Sequence, residues 1–378
     1  MIAFYAGYYR GRGTADFSVP TRAIPERGSK DFPLGKFIFL LVLSWGQRLR
    51  ILLAGEFRAG FVAAAPLTKK ESGPFNFVGG MFENLPPFLL TMVAFALVQK
   101  RGNRKGLFLL FLLLLASEIL YGILSGVKGA LVQILVILLM VSIYSNPRRI
   151  GPRILAGGSI VVLVIFPLMS AYRATYSSLQ AEYLSVDSEV LSSQRRAVWD
   201  QLAENFSISE SIQDVMARAY GVDALAVAIK KHTNGDRDFV YGRSYMVSFF
   251  RILPRFLFPF RPEEELNFAY DYVGYPSGFN VVIQIQVMTE AYINADILGV
   301  ILIMFVLGLV ISKIYNHLIA KGQYPYLALY VIILAHIIVI EHSVMTIYVN
   351  FLIKQGGFSY LVAYWMSHSG SLLVHRNE

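Results

Sequence analysis

The chain has 378 residues, of which 55% are hydrophobic and only 16% are charged, whereas an ordinary soluble domain carries roughly 25% charged residues. Its net charge of +9 lies in short basic segments beside apolar stretches. That distribution is typical of membrane proteins and argues against a nucleic-acid partner. The absence of cysteine excludes thiolate nucleophiles, disulfides and cysteine-ligated metals.

Apolar segments run through the chain, and several are about 18 to 20 residues long, enough to cross a hydrocarbon core. The predicted spans are 37–54, 78–98, 107–124, 129–144, 154–171, 296–314, 324–340 and 348–365. A further piece, 279–295, is too polar for a separate span and is predicted to be a re-entrant or extended start of the sixth. The predicted fold class is an all-α polytopic membrane protein with about eight transmembrane helices.

The lysines and arginines of the short loops predict the orientation, because such residues accumulate on the cytoplasmic side. They are Lys100, Arg101, Arg104, Lys105, Arg148, Arg149, Arg153, Lys313 and Lys321. The basic N-terminal segment 1–36 and the tail 367–378 are then also cytoplasmic. The chain begins without a clear first apolar span, which predicts a missing or mis-assigned start and leaves the number of helices open.

The same orientation places the polar segment 172–278 outside, as one large extracytoplasmic loop. It separates five predicted helices in 37–171 from three in 279–366, which includes the re-entrant start. Apolar residues at helical spacing predict helices over 188–205 and 221–231 within the loop. The loop holds most of the arginines and carboxylates outside the basic loops, so the chemistry is expected there.

The stretch 239–261 carries Arg243, Arg251, Arg255 and Arg261, several phenylalanines and no acid. Its prolines forbid one continuous helix. Such a segment suits the lipid headgroup zone, where guanidinium groups can bind phosphate. Two interpretations stay open: the arginines anchor the loop at ordinary phospholipid, or some of them grip a lipid-linked pyrophosphate.

Ionisable residues also fall toward the outer ends of predicted spans, where buried charge is costly and usually faces a bundle interior or a water-filled cavity. They are Glu83, Glu118, Lys128, Arg173, Glu290, Glu341 and His342. Their convergence on one leaflet predicts a polar cavity that opens outward. For any single residue, a structural pair or a snorkelling end is the alternative. Arg48 and Arg50 are interpreted mainly as structural.

Other motifs are weaker. Asp236-Arg237-Asp238 matches the DxD pattern of nucleotide-sugar transferases, whose carboxylates hold a divalent ion, but it lies in a turn sequence. The scattered histidines lack metal-ligand spacing, so no metal is expected. No glycine-rich phosphate loop followed by Lys-Ser or Lys-Thr is present, so nucleotide hydrolysis is not expected.

Several segments, in order, resemble the bacterial O-antigen polymerases, the Wzy-like oligosaccharide repeat-unit polymerases. They are Gly242-Arg243-Ser244-Tyr245, the run 252–262, Glu290-Ala291-Tyr292-Ile293-Asn294 and Leu298-Gly299-Val300, with Ser125-Gly126-Val127-Lys128-Gly129 and Tyr172-Arg173 upstream. The resemblance covers roughly residues 35–366. The chain departs from the family in having Lys128 where arginine is common and Asp296 where a glycine-rich aromatic step is more usual.

The resemblance implies a GT-C-like membrane glycosyltransferase that uses undecaprenyl-pyrophosphate-linked oligosaccharides at the outer face of the cytoplasmic (inner) membrane, with no metal or cofactor. It implies that Arg251 and Arg255 stabilise the departing pyrophosphate. Glu290 would be the base or an acceptor-orienting carboxylate, with a structural ion pair as the alternative. The implied substrate-binding residues are Lys128, Arg173, Arg243, Arg261 and Tyr292.

The expected partners are lipid-linked oligosaccharides and the lipid bilayer, with a chain-length regulator as a further candidate. Two other functions stay open as alternatives. An O-antigen ligase of the same fold relies on a histidine in the large loop, where only His232 lies, far in sequence from the arginine stretch. A polysaccharide or lipid transporter would need internal repeats and ionisable residues near the bilayer midplane, and neither is found.

Overall fold

The computed structural model describes residues 1–12, 33–53, 81–82, 85–98, 104–125, 128–145, 222–250, 286–319, 323–338, 352–353 and 355–368. The helices are α1 Ile2–Arg12, α2 Leu34–Leu53, α3 Leu85–Val98, α4 Arg104–Ser125, α5 Lys128–Ser145, α6 Val222–Thr233, α7 Arg243–Phe250, α8 Val287–Ile319, α9 Tyr324–Ile338 and α10 Gly357–His368. No strand occurs in these ranges, so the prediction of an all-α chain is confirmed for them.

The centre of the bundle is formed by α3 and α9. Every residue of α3 from Leu85 to Ala96 is buried, and so are residues 326–333 of α9. α3 starts with Pro86 and Pro87 in its first turn, where proline removes no helical hydrogen bond because the first N–H groups have no partner within the helix. α3 packs against α2, α4, α5 and α9, and α9 also packs against α5, α8 and α10.

The surrounding helices expose large apolar side chains. On α4, Leu109 and Leu113 are both more than half exposed, and only 17% of the segment Lys105–Gly122 is buried. A core helix of a soluble protein would be mostly buried instead. Among the described residues, Lys105–Gly122 and Val287–Ile319 are the two helices long and apolar enough to cross a membrane.

The helix α8 is broken at Ala295 and Asp296, whose backbone angles are not helical. Gly299 packs on the backbone carbonyl of Ala291 so closely that a side-chain carbon there would overlap it, which shows that the chain bends sharply. A straight helix of 33 residues would be about 50 Å long, whereas the part after the break, 297–319, is about 34 Å long and matches a hydrocarbon core. The boundary predicted between the re-entrant piece and the sixth span falls at this break.

The N-terminal helix α1 lies along the second part of α8, in the same direction. A side-chain carbon on Gly7 would overlap the carbonyl of Phe305, so glycine permits the close approach. At the end of α1, the Nδ2 group of Asn316 donates to the carbonyls of Gly11 and Arg12, at 3.3 and 3.4 Å. The predicted basic N-terminal segment therefore begins with a helix that packs on a candidate membrane span.

A bidentate ion pair joins α2 to α4. The guanidinium of Arg48 donates to both carboxylate oxygens of Glu118, with a distance of 2.9 Å from Nη2 to Oε2. The same guanidinium lies 4.0 Å from the centre of the Tyr121 ring. For Glu118, the sequence left open either a place in an outward polar cavity or a structural ion pair, and the structure shows an ion pair. The pair also agrees with the interpretation of Arg48 as a structural residue.

Candidate functional site

The candidate site lies where the loop 239–242 and α7 meet the first part of α8. The backbone N–H of Val240 donates to the carbonyl of Ile293, at 2.8 Å. The N–H of Gly242 donates to Oδ1 of Asn294, also at 2.8 Å. The break in α8 leaves the last carbonyls of its first part without partners in the same helix, and the loop supplies one of the missing donors.

Three buried polar side chains form a hydrogen-bonded chain beside this contact. Nδ2 of Asn294 donates to Oγ of Ser244 at 2.7 Å, and that hydroxyl donates to Oε1 of Glu290 at 3.0 Å. Asn294 is 2% exposed, Glu290 4% and Ser244 7%. We call these residues the clamp cluster, because they fasten α7 to α8. A carboxylate buried this deeply must be hydrogen-bonded or paired, and Ser244 provides one such bond.

The chemistry of the clamp cluster requires an amide at position 294. Oδ1 of Asn294 accepts from the Gly242 N–H, which can only donate, so the Nδ2 group faces Ser244. The same Nδ2 group also donates to the backbone carbonyl of Glu290, at 2.7 Å. An aspartate there could make neither donation and would place a second negative charge beside Glu290.

Four aromatic rings pack together in the same region as the clamp cluster. The Phe239 ring lies 3.5 Å from the His232 ring and 6.1 Å from both the Tyr292 and Tyr241 rings, measured between centres. His232 lies 6.3 Å from Tyr292. Nδ1 of His232 is 3.1 Å from the carbonyl of Arg237, and since a carbonyl only accepts, Nδ1 carries the hydrogen of this bond.

The turn that carries the DxD motif is the cap of α6. Gly235 has a φ of +75°, and the N–H groups of Gly235 and Asp236 donate to the carbonyls of His232 and Lys231, at 3.0 and 2.9 Å. This is the hydrogen-bond pattern of a Schellman cap, which favours glycine at the left-handed position. Within the described part of the chain, no group of three His, Cys, Asp or Glu side chains lies close enough together to hold a metal ion.

The structure brings together some of the sequence-predicted site residues. Glu290 and Tyr292 are buried on the first part of α8, and Arg243 is exposed at the start of α7, one residue before Ser244. Lys128 begins α5, which packs against α3, α4 and α9. The remaining candidates, Arg173, Arg251, Arg255 and Arg261, lie outside the described residues.

Sequence reasoning missed three residues of the site. Ser244 and Asn294 were not candidates, although Glu290 and Asn294 are four residues apart in a helix and so lie on one face. That spacing could have identified the pair. The sequence places His232 outside the arginine stretch, whereas in the structure its ring contacts that of Phe239 and lies beside Tyr292.

Fold and site together define an all-helical protein with candidate membrane spans and a buried carboxylate at a broken helix. A protein-family model, described as a domain of unknown function (DUF8712), matches residues 76–339 of the sequence. The chain therefore belongs to this family. The matched region contains α3 to α9 and the whole clamp cluster. No curated protein and no solved structure is significantly similar to the chain.

Proposed function

We propose that the protein polymerises undecaprenyl-pyrophosphate-linked oligosaccharide repeat units into a surface polysaccharide, which would be an O-antigen, a capsule or an exopolysaccharide. In this proposal it is a multi-pass inner-membrane glycosyltransferase with about eight transmembrane helices. The large loop 172–278 lies on the outer face and works without a metal ion.

The observation that carries the proposal is the clamp cluster. It joins two segments that resemble the O-antigen polymerases, Gly242-Arg243-Ser244-Tyr245 and Glu290-Ala291-Tyr292-Ile293-Asn294, through side chains that lie far apart in the sequence. Two backbone angles add support. Gly242 has a φ of +82°, which favours glycine. Asp296, at the place where the family more usually has a glycine-rich step, has a φ of +56°.

The proposed reaction transfers the growing glycan from its lipid carrier to a hydroxyl of the next lipid-linked unit. The bond between the anomeric carbon and the pyrophosphate oxygen breaks, a bond to the acceptor oxygen forms with inversion, and the acceptor proton passes to a base. Glu290 is the proposed base or acceptor-orienting carboxylate, and its hydrogen bond from Ser244 fixes the direction of the carboxylate.

Cations stabilise the departing pyrophosphate in this mechanism. Arg251 and Arg255 are the proposed principal ligands, with Lys128, Arg173, Arg243 and Arg261 as further substrate-binding residues. Arg243 supports this assignment, because it is exposed and directly precedes the residue that hydrogen-bonds Glu290. Tyr292, packed against Phe239 and near His232, is proposed to line the glycan side of the site.

Two observations favour specific alternatives. The break in α8, with Glu290 and Asn294 buried beside it, is the kind of discontinuous helix found at transporter binding sites, and it favours a polysaccharide or lipid transporter. The position of His232 beside Tyr292 favours an O-antigen ligase, in which a loop histidine is required.

Deleting the gene and analysing the surface glycan by gel electrophoresis distinguishes the three functions. Loss of a polymerase should leave single repeat units on the cell surface and no ladder of longer chains. A transporter deletion would leave lipid-linked units on the cytoplasmic side. A ligase deletion would leave long chains attached to the lipid carrier. Either of the last two results would contradict the proposal.

Glu290→Gln tests the proposed base, because it keeps the shape of the side chain and removes its basicity. This variant should accumulate in the membrane and polymerise roughly 10²-fold more slowly, the usual size of a general-base contribution. The matched control is Asp296→Asn, at an exposed position six residues further along α8, because asparagine has the same size and branching as the aspartate that it replaces. Normal polymerisation by Glu290→Gln would exclude Glu290 as the base.

A further inference from the structure

Tyr241 is held in a backbone conformation that bulky residues rarely adopt. Its φ is +49°, and its side chain is 81% exposed. A non-glycine residue with a positive φ is uncommon, and it persists only when the surrounding structure fixes it. Tyr241 therefore combines a strained backbone with a large aromatic side chain that is exposed at the surface of the protein.

The clamp cluster and its neighbouring contacts fix this conformation from both sides. Val240, immediately before Tyr241, donates to the carbonyl of Ile293, and Gly242, immediately after it, donates to Asn294. The N–H of Arg243 closes the turn by donating to the carbonyl of Val240, at 3.1 Å. These contacts fix the direction in which the Tyr241 side chain leaves the backbone, directly beside the clamp cluster.

The surroundings of Tyr241 combine aromatic and polar side chains. The Phe239 ring packs edge-on against the Tyr241 ring, with centres 6.1 Å apart and planes at 73°. The residues of the preceding turn, 233–238, are all exposed and include asparagine, aspartate and arginine side chains. An aromatic face attracts the C–H face of a sugar ring through its negative π surface, while amide, carboxylate and guanidinium groups match sugar hydroxyls.

We propose that Tyr241 is a stacking platform for a sugar ring of the acceptor repeat unit, with the turn 233–238 contacting its hydroxyls. The platform would hold the acceptor glycan next to the clamp cluster, so that its hydroxyl faces Glu290. The identity of the glycan rests on the proposed polymerase function, whereas the recognition of a carbohydrate by this surface does not depend on the reaction.

Three variants separate the ring from the backbone conformation. Tyr241→Phe keeps the aromatic face. Tyr241→Leu keeps an apolar side chain and the same Cβ strain, but it has no aromatic face. Tyr241→Gly removes the side chain and relieves the positive φ, so this variant should accumulate at least as well as the wild type. Met246→Ala is the control, since Met246 is a neighbouring exposed apolar residue on α7.

The measurement is binding of oligosaccharides, released by mild acid from the lipid-linked units of the same strain, to the full-length protein in nanodiscs. Tyr241→Phe and Met246→Ala should bind as the wild type does. Tyr241→Leu and Tyr241→Gly should bind about tenfold more weakly or worse, because neither has an aromatic face that can stack on the sugar ring. Both should also shorten the polymer ladder in cells.

Wild-type binding by Tyr241→Leu would overturn the proposal, because it would show that the aromatic face is not needed for binding. Undetectable binding by the wild type would overturn it as well. If Tyr241→Gly fails to accumulate, Tyr241→Leu still decides the question. If the wild type binds the glycan through Tyr241 but the deletion strain still makes long chains, the platform stands and the polymerase function fails.

Discussion

Glu290, Ser244 and Asn294 each contribute a chemically different group to the clamp cluster. The amide of Asn294 donates, the hydroxyl of Ser244 accepts and donates in turn, and the carboxylate of Glu290 accepts at the end. Hydrogen bonds arranged in one direction polarise each other and are strengthened at low local polarity. The cluster therefore both fastens α7 to α8 and orients a carboxylate, so the proposed catalytic role would use the same contacts as the structural one.

The ion pair between Arg48 and Glu118 gives a prediction for single residues. Arg48→Met leaves the Glu118 carboxylate buried without its cation and should lower the free energy of unfolding by about 3–5 kcal/mol. The double variant Arg48→Met, Glu118→Leu should lose much less, because no buried charge remains. Thermal unfolding of the purified protein in detergent measures both effects.

The control for this pair is Lys313→Met, which removes an exposed charge and should change stability by less than about 0.5 kcal/mol. If Arg48→Met were as stable as the wild type, the ion pair would contribute nothing. If the double variant were destabilised as much as the single one, the loss would come from packing against Tyr121 instead of from the unpaired charge.

At the scale of helices, two of the segments that pack on α8 contact it in different ways. α1 approaches its second part through glycine, where Gly7 meets the backbone of Phe305. The loop before α7 approaches its first part through hydrogen bonds to Ile293 and Asn294, which the break makes available. Small residues let helix backbones approach closely in apolar surroundings, whereas buried polar groups are stable only where they are hydrogen-bonded.

Gly7→Ala tests the contact between α1 and α8. The added methyl group meets the carbonyl of Phe305, so the helices must separate, and a loss of about 1–3 kcal/mol in stability is expected. Gly46 on α2 is the matched control, because no atom lies within 4 Å of a side chain placed there. Gly46→Ala should be neutral or stabilising by about 0.5–1 kcal/mol.

Both glycine variants are compared by thermal unfolding in the same detergent. Equal unfolding temperatures for Gly7→Ala and Gly46→Ala would show that α1 is not held against α8 in solution. A loss confined to Gly7→Ala would support close packing of the N-terminal helix on the candidate membrane span.

For the whole molecule, the proposed topology places α2 and α4 across the membrane in the same direction. Arg48 and Glu118 both lie about 21 Å from the starts of their helices, so this topology brings them to the same depth. Helices crossing in opposite directions would put the two residues at unequal depths unless they lay at the membrane centre. The ion pair is thus compatible with α2 and α4 crossing in the same direction.

Reporter fusions test the orientation of the whole chain. Fusions after Gly106 and Lys321 should report a cytoplasmic position, because the neighbouring loops are basic. A fusion after Asn205 should report an external one, because it lies in the large polar loop. An external signal at Gly106 or Lys321, or a cytoplasmic signal at Asn205, would contradict both the topology and the proposed function.

The sequence by itself determined the helical class and the positions of most described helices. The predicted segment 107–124 is observed as Arg104–Ser125, and 324–340 begins at Tyr324 as expected. Such predictions succeed because the length of an apolar segment and its capping residues are local properties of the chain. The spacing that predicted a helix over 221–231 is likewise observed, as Val222–Thr233.

Only the tertiary structure decided which polar residues meet. Ser244 with Glu290, Arg48 with Glu118 and His232 beside Tyr292 are contacts between distant parts of the sequence, fixed by how the helices pack. The helix α1 was also not predicted, because its sequence is only weakly apolar and it is stabilised by contact with α8. Local patterns specify which segments become helices, whereas the pairing of their side chains depends on packing across the whole bundle.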